Sequence, residues 1–246
     1  MFVRKIRYHK TLNPKIWSAD GSLKPEVRHS IITIVTDFID YMHSIGFEVT
    51  NKDILDIVIY GSNANYYYDK KSDIDICILM DLDAIQEKYK DLNFFTVYMS
   101  LFHTWCRKYN LQICGLGIDL CLKNVNQPQF KFGNWRFGAA YSIIYNKWVN
   151  ELVRLDKKTF RKYHRIAQKR AYEILRQARK VIAYNGRLDD FVQQQQKLRI
   201  IAIRENPLQP LVPETMAYKM VRNSGLFWRF MTTASQRRAV EQFGVD

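Results

Sequence analysis

The sequence predicts an α/β (α+β) protein in which residues 1–150 form a small mixed β-sheet with flanking helices and residues 151–246 form a basic, mainly helical domain. In the first part, short apolar segments of strand length alternate with segments of helical periodicity. In the second part, apolar residues follow 3–4 spacing over long segments. Residues 151–246 also hold 20 Lys and Arg against 9 Asp and Glu, which is most of the net charge of +14.

An irregular arm and a helix open the first part. The dipeptide Asn13-Pro14 is one of several turn signals that predict an irregular arm over residues 1–25. Apolar residues then recur at helical spacing up to residue 45, and Gly46 follows as a helix C-cap. We therefore expect the first regular element to be an α-helix over residues 26–45.

Two strands follow this helix, with a polar, tyrosine-rich loop between them. Residues 54–60 form a short apolar run that ends at Gly61, as expected of a buried strand. Residues 73–79 show a period of two, which predicts a strand with Asp73 and Asp75 on one face. The remaining predicted elements are a helix over 83–109, a strand over 117–122, and helices over 140–153, 157–183, 188–204 and from 214 onward.

The composition argues against several classes of protein. No apolar run approaches the ~18 residues of a membrane span, and no secretory signal follows the charged N-terminal residues. The four cysteines form no C-x-x-C pair, which argues against a zinc site. This cysteine usage is typical of a reducing compartment, so we expect a cytoplasmic protein without a membrane partner.

A pattern that can carry chemistry joins the two strands. The first strand runs into Gly61-Ser62, and the second bears Asp73 and Asp75 on one side, about 6–7 Å apart at their Cα atoms. Like charges at this distance favour a divalent cation between them, and carboxylate oxygens suit Mg²⁺ or Mn²⁺. The backbone N–H groups and hydroxyl of Gly61-Ser62 suit a phosphate. The alternative is a plain turn followed by the solvated edge of a strand.

This order of residues resembles a known signature. Hydrophobic-Gly-Ser, a loop, then Asp-hydrophobic-Asp-hydrophobic is similar to the motif of the nucleotidyltransferase (DNA polymerase β-like) superfamily, over residues 57–80. The segments Gly61-Ser-Asn-Ala-Asn-Tyr66 and Ser72-Asp-Ile-Asp75 also resemble predicted nucleotidyltransferases encoded by bacteriophages. Residues 125–128, 141–148 and 213–222 are similar to those proteins more loosely.

The resemblance implies transfer of a nucleoside monophosphate from an NTP to a hydroxyl group, with release of pyrophosphate. Asp73 and Asp75 would hold Mg²⁺ or Mn²⁺ together with a third catalytic carboxylate from a neighbouring strand. Asp119 has the required form, because it is an acid between two apolar residues. Asp81 and Asp83 are alternatives, but they follow their strand and suit the start of the next helix.

The resemblance also implies a nucleotide-binding role for the loop. Gly61 and Ser62 would bind the phosphates of the NTP, with help from Lys71 and Ser72. Asn65 would line the nucleotide or acceptor cleft. The three tyrosines at 66–68 either line the same cleft, because aromatic rings stack on bases, or pack the loop onto the core.

The positive charge of the second part favours a nucleic-acid partner. RNA or tRNA is the favoured acceptor, with a protein or a small molecule as alternatives. The alternative explanation of this positive charge is a solvated helical face without a partner. A rival function is a catalytically silent nucleic-acid-binding protein on a nucleotidyltransferase core. The candidate nucleic-acid contacts are Arg161, Arg165, Lys169, Arg176 and Lys180.

Overall fold

The computed structural model describes residues 3–70, 72–130, 135, 138–150, 152–184, 186–206 and 211–225. These residues fall into two compact units, Arg7–Arg154 and the described residues of Met1–Ile6 with Leu155–Asp246. The predicted class is confirmed, since the first unit carries a mixed β-sheet with helices and the second is helical.

The described residues of the first unit form three α-helices and six strands. The helices are α1 (Pro25–Ser44), α2 (Leu82–Lys88) and α3 (Phe94–Tyr109). The strands are β1 (Ile54–Tyr60), β2 (Ile74–Met80), β3 (Gln112–Ile113), β4 (Leu116–Asn124), β5 (Tyr141–Ser142) and β6 (Lys147–Trp148). Their order in the sheet is β3-β4-β2-β1-β5-β6. Only the pairing of β2 with β4 is parallel among these strands, so the sheet is mixed as predicted.

The central strands are apolar because both of their faces are covered. On one face, alternate residues of β1, β2 and β4 pack against apolar residues of α1 and α3, among them Phe38 and Tyr98, in one large core. On the other face, Val58, Cys77 and Leu79 belong to a smaller cluster of buried side chains. A strand buried on both faces reads as a nearly continuous apolar run, which is why β1 and β2 are visible in the sequence.

Residues 140–153 were expected to form a helix, and that prediction is wrong. They contain the hairpin of β5 and β6, in which Tyr141 pairs with Trp148. The turn places Asn146 at a φ of 52°, and the Tyr141 hydroxyl donates a hydrogen bond to its side chain at 3.0 Å. Trp17 stacks on Trp148 at 4.8 Å between ring centroids. Cross-strand aromatic packing therefore outweighs the helical spacing of the apolar residues.

The single helix expected over residues 83–109 is two helices, α2 and α3. Asn93 begins α3, and its side chain accepts a hydrogen bond from Thr96 N at 3.0 Å. Gln86 donates to the carbonyl oxygens of Tyr89 and Leu92, at 2.9 and 2.6 Å, in the intervening turn. Side chains that bond to backbone groups in this way replace the helical hydrogen bonds and end the first helix.

The second unit contains α4 (Lys157–Ala183), α5 (Leu188–Glu205) and α6 (Pro213–Asn223) among its described residues, as the sequence predicts. Asp156 caps α4 by accepting hydrogen bonds from Lys158 N and Thr159 N, at 2.8 and 2.9 Å. The buried face of α4 is rich in alanine, and it packs mainly against α6. None of the described helices is both long and apolar enough to cross a membrane.

Asp56 is a buried acid in β1, next to an irregularity in the pairing of β1 with β2. Its Oδ1 accepts hydrogen bonds from Ser142 Oγ and Ile57 N, each at 2.8 Å. Burial raises the pKa of Asp56 above its ordinary value of 3.8, despite these two bonds. The protonated form is therefore the one that the fold favours, and its contribution to stability is lost as the pH rises through the raised pKa.

We expect Asp56→Asn, which imitates the protonated acid, to remove this loss. The free energy of unfolding of the variant, relative to that of the natural protein, should increase as the pH rises from about 4, the ordinary value for Asp, through the raised pKa of Asp56. Urea unfolding at several pH values measures it. Asp37→Asn, at an exposed position of α1, is the matched control and should leave the pH dependence unchanged. Parallel curves for the natural protein and Asp56→Asn would contradict the prediction.

Candidate active site

Strand register brings two of the predicted acids side by side. Asp75 pairs with Tyr60 across the antiparallel β1–β2 contact and with Asp119 across the parallel β2–β4 contact. Neighbouring strands lie about 4.8 Å apart, so the three residues form one row across the sheet. Directly paired residues point to the same face. The row therefore presents two carboxylates and a phenol on one side of the sheet.

Asp73 lies beside this row, at the residue before β2. It lies two residues before Asp75, and its carboxylate sits against the α-carbon of Gly117, two residues before Asp119. A Cβ added to Gly117 would lie 2.7 Å from Asp73 Oδ1. The absence of a side chain at Gly117 therefore leaves the space that the Asp73 carboxylate occupies.

Gly61 has the same relation to Asp75. It follows β1 directly with a φ of 75°, a backbone conformation that favours glycine. A Cβ at this position would collide with Asp75 Oδ2. The chain thus passes close to the Asp75 carboxylate at Gly61, and Ser62 follows directly.

The donor set suits a divalent cation, although the side chains do not converge on one point. Among the residues that the structure describes, no three Asp, Glu, His or Cys side chains lie close enough to hold a metal ion. Asp73 and Asp119 are exposed and Asp75 is half-buried, so all three are accessible from solvent. Carboxylate oxygens are ligands that Mg²⁺ and Mn²⁺ prefer.

Tyr60 adds a neutral hydroxyl to the row. Burial raises the pKa of Tyr60 well above its usual value, and the nearby Cys121 and Asp75 add to the shift. The phenol therefore keeps its proton at neutral pH. Its hydroxyl lies 3.4 Å from Cys121 Sγ, and its ring packs against Trp135 at 5.3 Å between centroids. The acidic face thus continues into the smaller apolar cluster under the sheet.

Asn63 closes the loop between β1 and β2, and no pattern in the sequence predicts this role. Its fully buried side chain donates from Nδ2 to the carbonyl oxygens of Ser72 and Asp73, at 3.0 and 2.8 Å. Asn13 donates to Asn63 Oδ1 at 2.8 Å, and Trp17 donates to Asn63 O at 2.6 Å. The backbone on which Asp73 stands is therefore fixed by one amide. Only its position directly after Gly61-Ser62 marks this residue in the sequence.

The predicted nucleotide-binding residues have different surroundings. Ser62 is half-buried directly after Gly61. Asn65 Oδ1 accepts a hydrogen bond from Tyr66 N at 2.6 Å, within its own loop. Ser72 Oγ accepts from Asp69 N at 2.8 Å and so holds the turn before Asp73. Lys71 lies outside the described residues.

The three tyrosines of the loop pack against the N-terminal arm. Tyr67 is buried, and the ring of Tyr68 stacks on His9 at 3.8 Å between centroids. The guanidinium group of Arg154 lies 5.3 Å from the ring centroids of both Tyr8 and Tyr66. Of the two alternatives for these tyrosines, the structure supports packing.

Asp81 and Asp83 lie at the other end of β2, about 20 Å from Asp75 at 3.3 Å per residue. Asp81 is the N-cap of α2 and accepts a hydrogen bond from Ala84 N at 3.1 Å. Asn124 and Asn126 donate to Asp83, at 2.7 and 3.0 Å. These two acids therefore serve the start of a helix and are far from the row.

The five predicted nucleic-acid contacts all lie on α4 in the second unit. Each of them is exposed, and they lie away from the buried alanines of the helix. The predicted residues are Arg161, Arg165, Lys169, Arg176 and Lys180.

Comparison with known proteins supports one family for part of the chain. Residues 47–104 match the family model of the nucleotidyltransferase domain. The match includes Gly61, Ser62, Asp73 and Asp75 but ends before Asp119. No curated protein and no solved structure matches the chain. The match supports transfer of a nucleoside monophosphate in general, and with it an NTP as substrate.

We expect Gly61→Ala to lower nucleotidyl transfer by about 100-fold or more, because the added methyl group displaces the Asp75 carboxylate. Gly21→Ala is the matched control. Gly21 has a similar φ of 83°, but nothing lies within 4 Å of its added Cβ. Both variants should lose about 1 kcal/mol of stability from the left-handed backbone. Thermal unfolding and label transfer from NTP measure the two effects, and equal activity in both variants would contradict the assignment.

Proposed function

We propose that this protein is a metal-dependent nucleotidyltransferase that transfers NMP from an NTP to a hydroxyl acceptor and releases pyrophosphate. One observation carries the proposal. Asp73, Asp75 and Asp119 share one face of the sheet next to Gly61-Ser62, and most of this arrangement lies in the segment that matches the nucleotidyltransferase domain.

The roles of the residues follow from their chemistry. Asp73, Asp75 and Asp119 would hold Mg²⁺ or Mn²⁺, which when bound would neutralise the triphosphate and polarise its α-phosphorus. Gly61 offers a backbone N–H without a side chain in the way, and Ser62 offers an N–H and a hydroxyl. Donors of this kind bind phosphate oxygens. The half-buried position of Ser62 limits competition from water.

The reaction is an in-line displacement at the α-phosphorus. The acceptor oxygen forms a bond to this phosphorus, the bond to the bridging oxygen of the β-phosphate breaks, and pyrophosphate leaves with that electron pair. Asp119 accepts the proton of the acceptor hydroxyl. It is suited to this role because it lies at the exposed end of the row, on β4, whereas Asp75 lies between two strands.

RNA is the acceptor that the charge favours. The second domain, residues 151–246, holds most of the net positive charge, and exposed cations bind the phosphates of a polynucleotide. The first domain, residues 1–150, supplies the chemistry in this proposal. A protein or a small molecule as acceptor would leave the positive charge of the second domain without a role.

A catalytically silent nucleic-acid-binding protein is the second candidate. Exposure of Asp73 and Asp119 favours it, because solvated carboxylates do not require a cation for the fold to be stable. The stability of the protein therefore does not distinguish the two functions. An assay of nucleotidyl transfer does distinguish them.

We expect Asp73→Asn and Asp75→Asn each to lower transfer by about 100-fold or more, since each removes one anionic ligand without changing the size of the side chain. Transfer is measured with four α-labelled NTPs, Mg²⁺ or Mn²⁺, and total RNA, DNA or cell lysate as acceptor. Asp83→Asn, an acid at the far end of β2, is the control and should keep full activity. Unchanged transfer in either Asp73→Asn or Asp75→Asn would overturn the proposal. Absence of label with the natural protein under every condition would favour the silent function.

A further inference from the structure

Helix α4 has a continuous positive face that is wider than the sequence suggested. At 3.6 residues per turn, eight exposed Lys and Arg fall within an arc of about 100° on this helix. No Asp or Glu of α4 lies within that arc. The face, which we call the basic face, consists of Lys158, Arg161, Lys162, Arg165, Lys169, Arg176, Arg179 and Lys180, with Tyr172 and Ala183.

The basic face lies opposite the part of α4 that is buried. The buried residues Phe160, Ala167, Ala171, Leu175 and Ala178 occupy the other side of the helix, which packs against α6 and α5. The apolar side of α4 is therefore not available to enter a lipid bilayer, as a membrane-bound amphipathic helix would require.

Such a face destabilises the isolated helix. Cations four residues apart, such as Arg161 with Arg165 and Arg165 with Lys169, repel each other. The helix contains a single acid, Glu173, and this residue lies outside the arc. A polyanion bound along the face would remove the repulsion, so the charge pattern is complementary to a row of phosphates.

The spacing of the cations suits a single strand. The face is straight and extends for about 33 Å from Lys158 to Lys180. Cations recur on it at about one turn of helix, 5.4 Å, except between Lys169 and Arg176, where Tyr172 takes the intermediate position. Successive phosphates of an extended single strand are separated by a similar distance. A duplex would bring its phosphates to a straight row only where a backbone crosses it.

The exposed ring of Tyr172 also favours a single strand. It lies inside the basic face, between Lys169 and Arg176, and 42% of its surface is exposed. No other aromatic residue of α4 lies within the arc of this face. Unpaired bases stack on exposed aromatic rings, whereas the bases of a duplex are stacked on each other.

We propose that the basic face of α4 binds a single-stranded segment of nucleic acid, with the phosphates along the cations and a base on Tyr172. The strand's role as the acceptor of NMP rests on the proposed function. Binding of the strand to the basic face does not rest on the proposed function, because it requires neither NTP nor turnover. The basic face recognises the phosphates and unpaired bases that single strands of RNA and DNA share.

The charge part of the proposal is tested by fluorescence anisotropy with labelled oligouridylate RNA of about 20 nucleotides, in the presence of a chelator. We expect the triple variant Arg165→Gln/Lys169→Gln/Arg176→Gln to bind at least tenfold more weakly. The slope of log affinity against log salt should fall by about 2, since each phosphate contact contributes about 0.7 for a single strand. Arg187→Gln/Lys197→Gln/Arg204→Gln removes three exposed cations outside the face and is the matched control. Equal loss in both triple variants would overturn the proposal.

The single-strand part is tested with Tyr172. We expect Tyr172→Ala to weaken binding of oligouridylate about tenfold without changing the salt slope, and Tyr172→Phe to keep it. Tyr184→Ala, at an exposed tyrosine beyond the arc, is the control and should bind normally. The same variants are measured with oligothymidylate DNA, with an RNA duplex of equal length, and with vesicles containing about 30% phosphatidylserine.

Each result either supports or contradicts the binding of a single strand to the basic face. Binding of both single strands, weakened by Tyr172→Ala, supports the proposal. Tighter binding of the duplex, no effect of Tyr172→Ala, or binding of the vesicles in place of nucleic acid would overturn it. Normal binding of single strands with no transfer of label would refute the proposed function but not this inference. Transfer of label to another acceptor without strand binding would refute the inference alone.

Discussion

The register of three central strands determines where every acid of the candidate site lies. Because Asp75 pairs with Tyr60 on one side and with Asp119 on the other, backbone hydrogen bonds set the separation of the two carboxylates. A slip of one residue in β2 would turn Asp75 toward the large core and Ile76 toward the face that carries the acids. Burial on both faces of β2 opposes that slip, so the apolar residues around the acids hold them in place.

Two glycines and one asparagine adapt the edge of the sheet to these charges. Gly61 and Gly117 lack the side chains that would collide with Asp75 and Asp73, so each carboxylate lies against a bare peptide. Asn63 then ties both ends of the connecting loop together from within the core. The site is therefore built from an exposed chemical face on a rigid, buried support. Such a support keeps like charges close together without rearrangement of the chain.

The sequence predicts best the elements whose pattern has one cause. Strand β1 and helix α4 are found where they were expected, because continuous burial and a regular 3–4 spacing each have a single structural meaning. The hairpin of β5 and β6 was missed because its stability comes from Tyr141, Trp148 and the distant Trp17. Asn63 was missed for a similar reason, since its partners are a distant asparagine and backbone carbonyls that no local pattern reveals.

The two charged regions have separable consequences for a reaction. A basic face that binds a polynucleotide equally well before and during chemistry lowers KM but leaves kcat unchanged. Carboxylates that hold a cation at the reacting phosphorus act mainly on the transition state, so they determine kcat. Ionic strength screens the exposed cations of α4 strongly. A tightly bound divalent ion is affected less, because its ligands contact it directly. Raising the salt concentration should therefore raise KM for a polynucleotide acceptor well before it lowers kcat. This difference distinguishes an acceptor that binds the basic face from one that binds only at the acids.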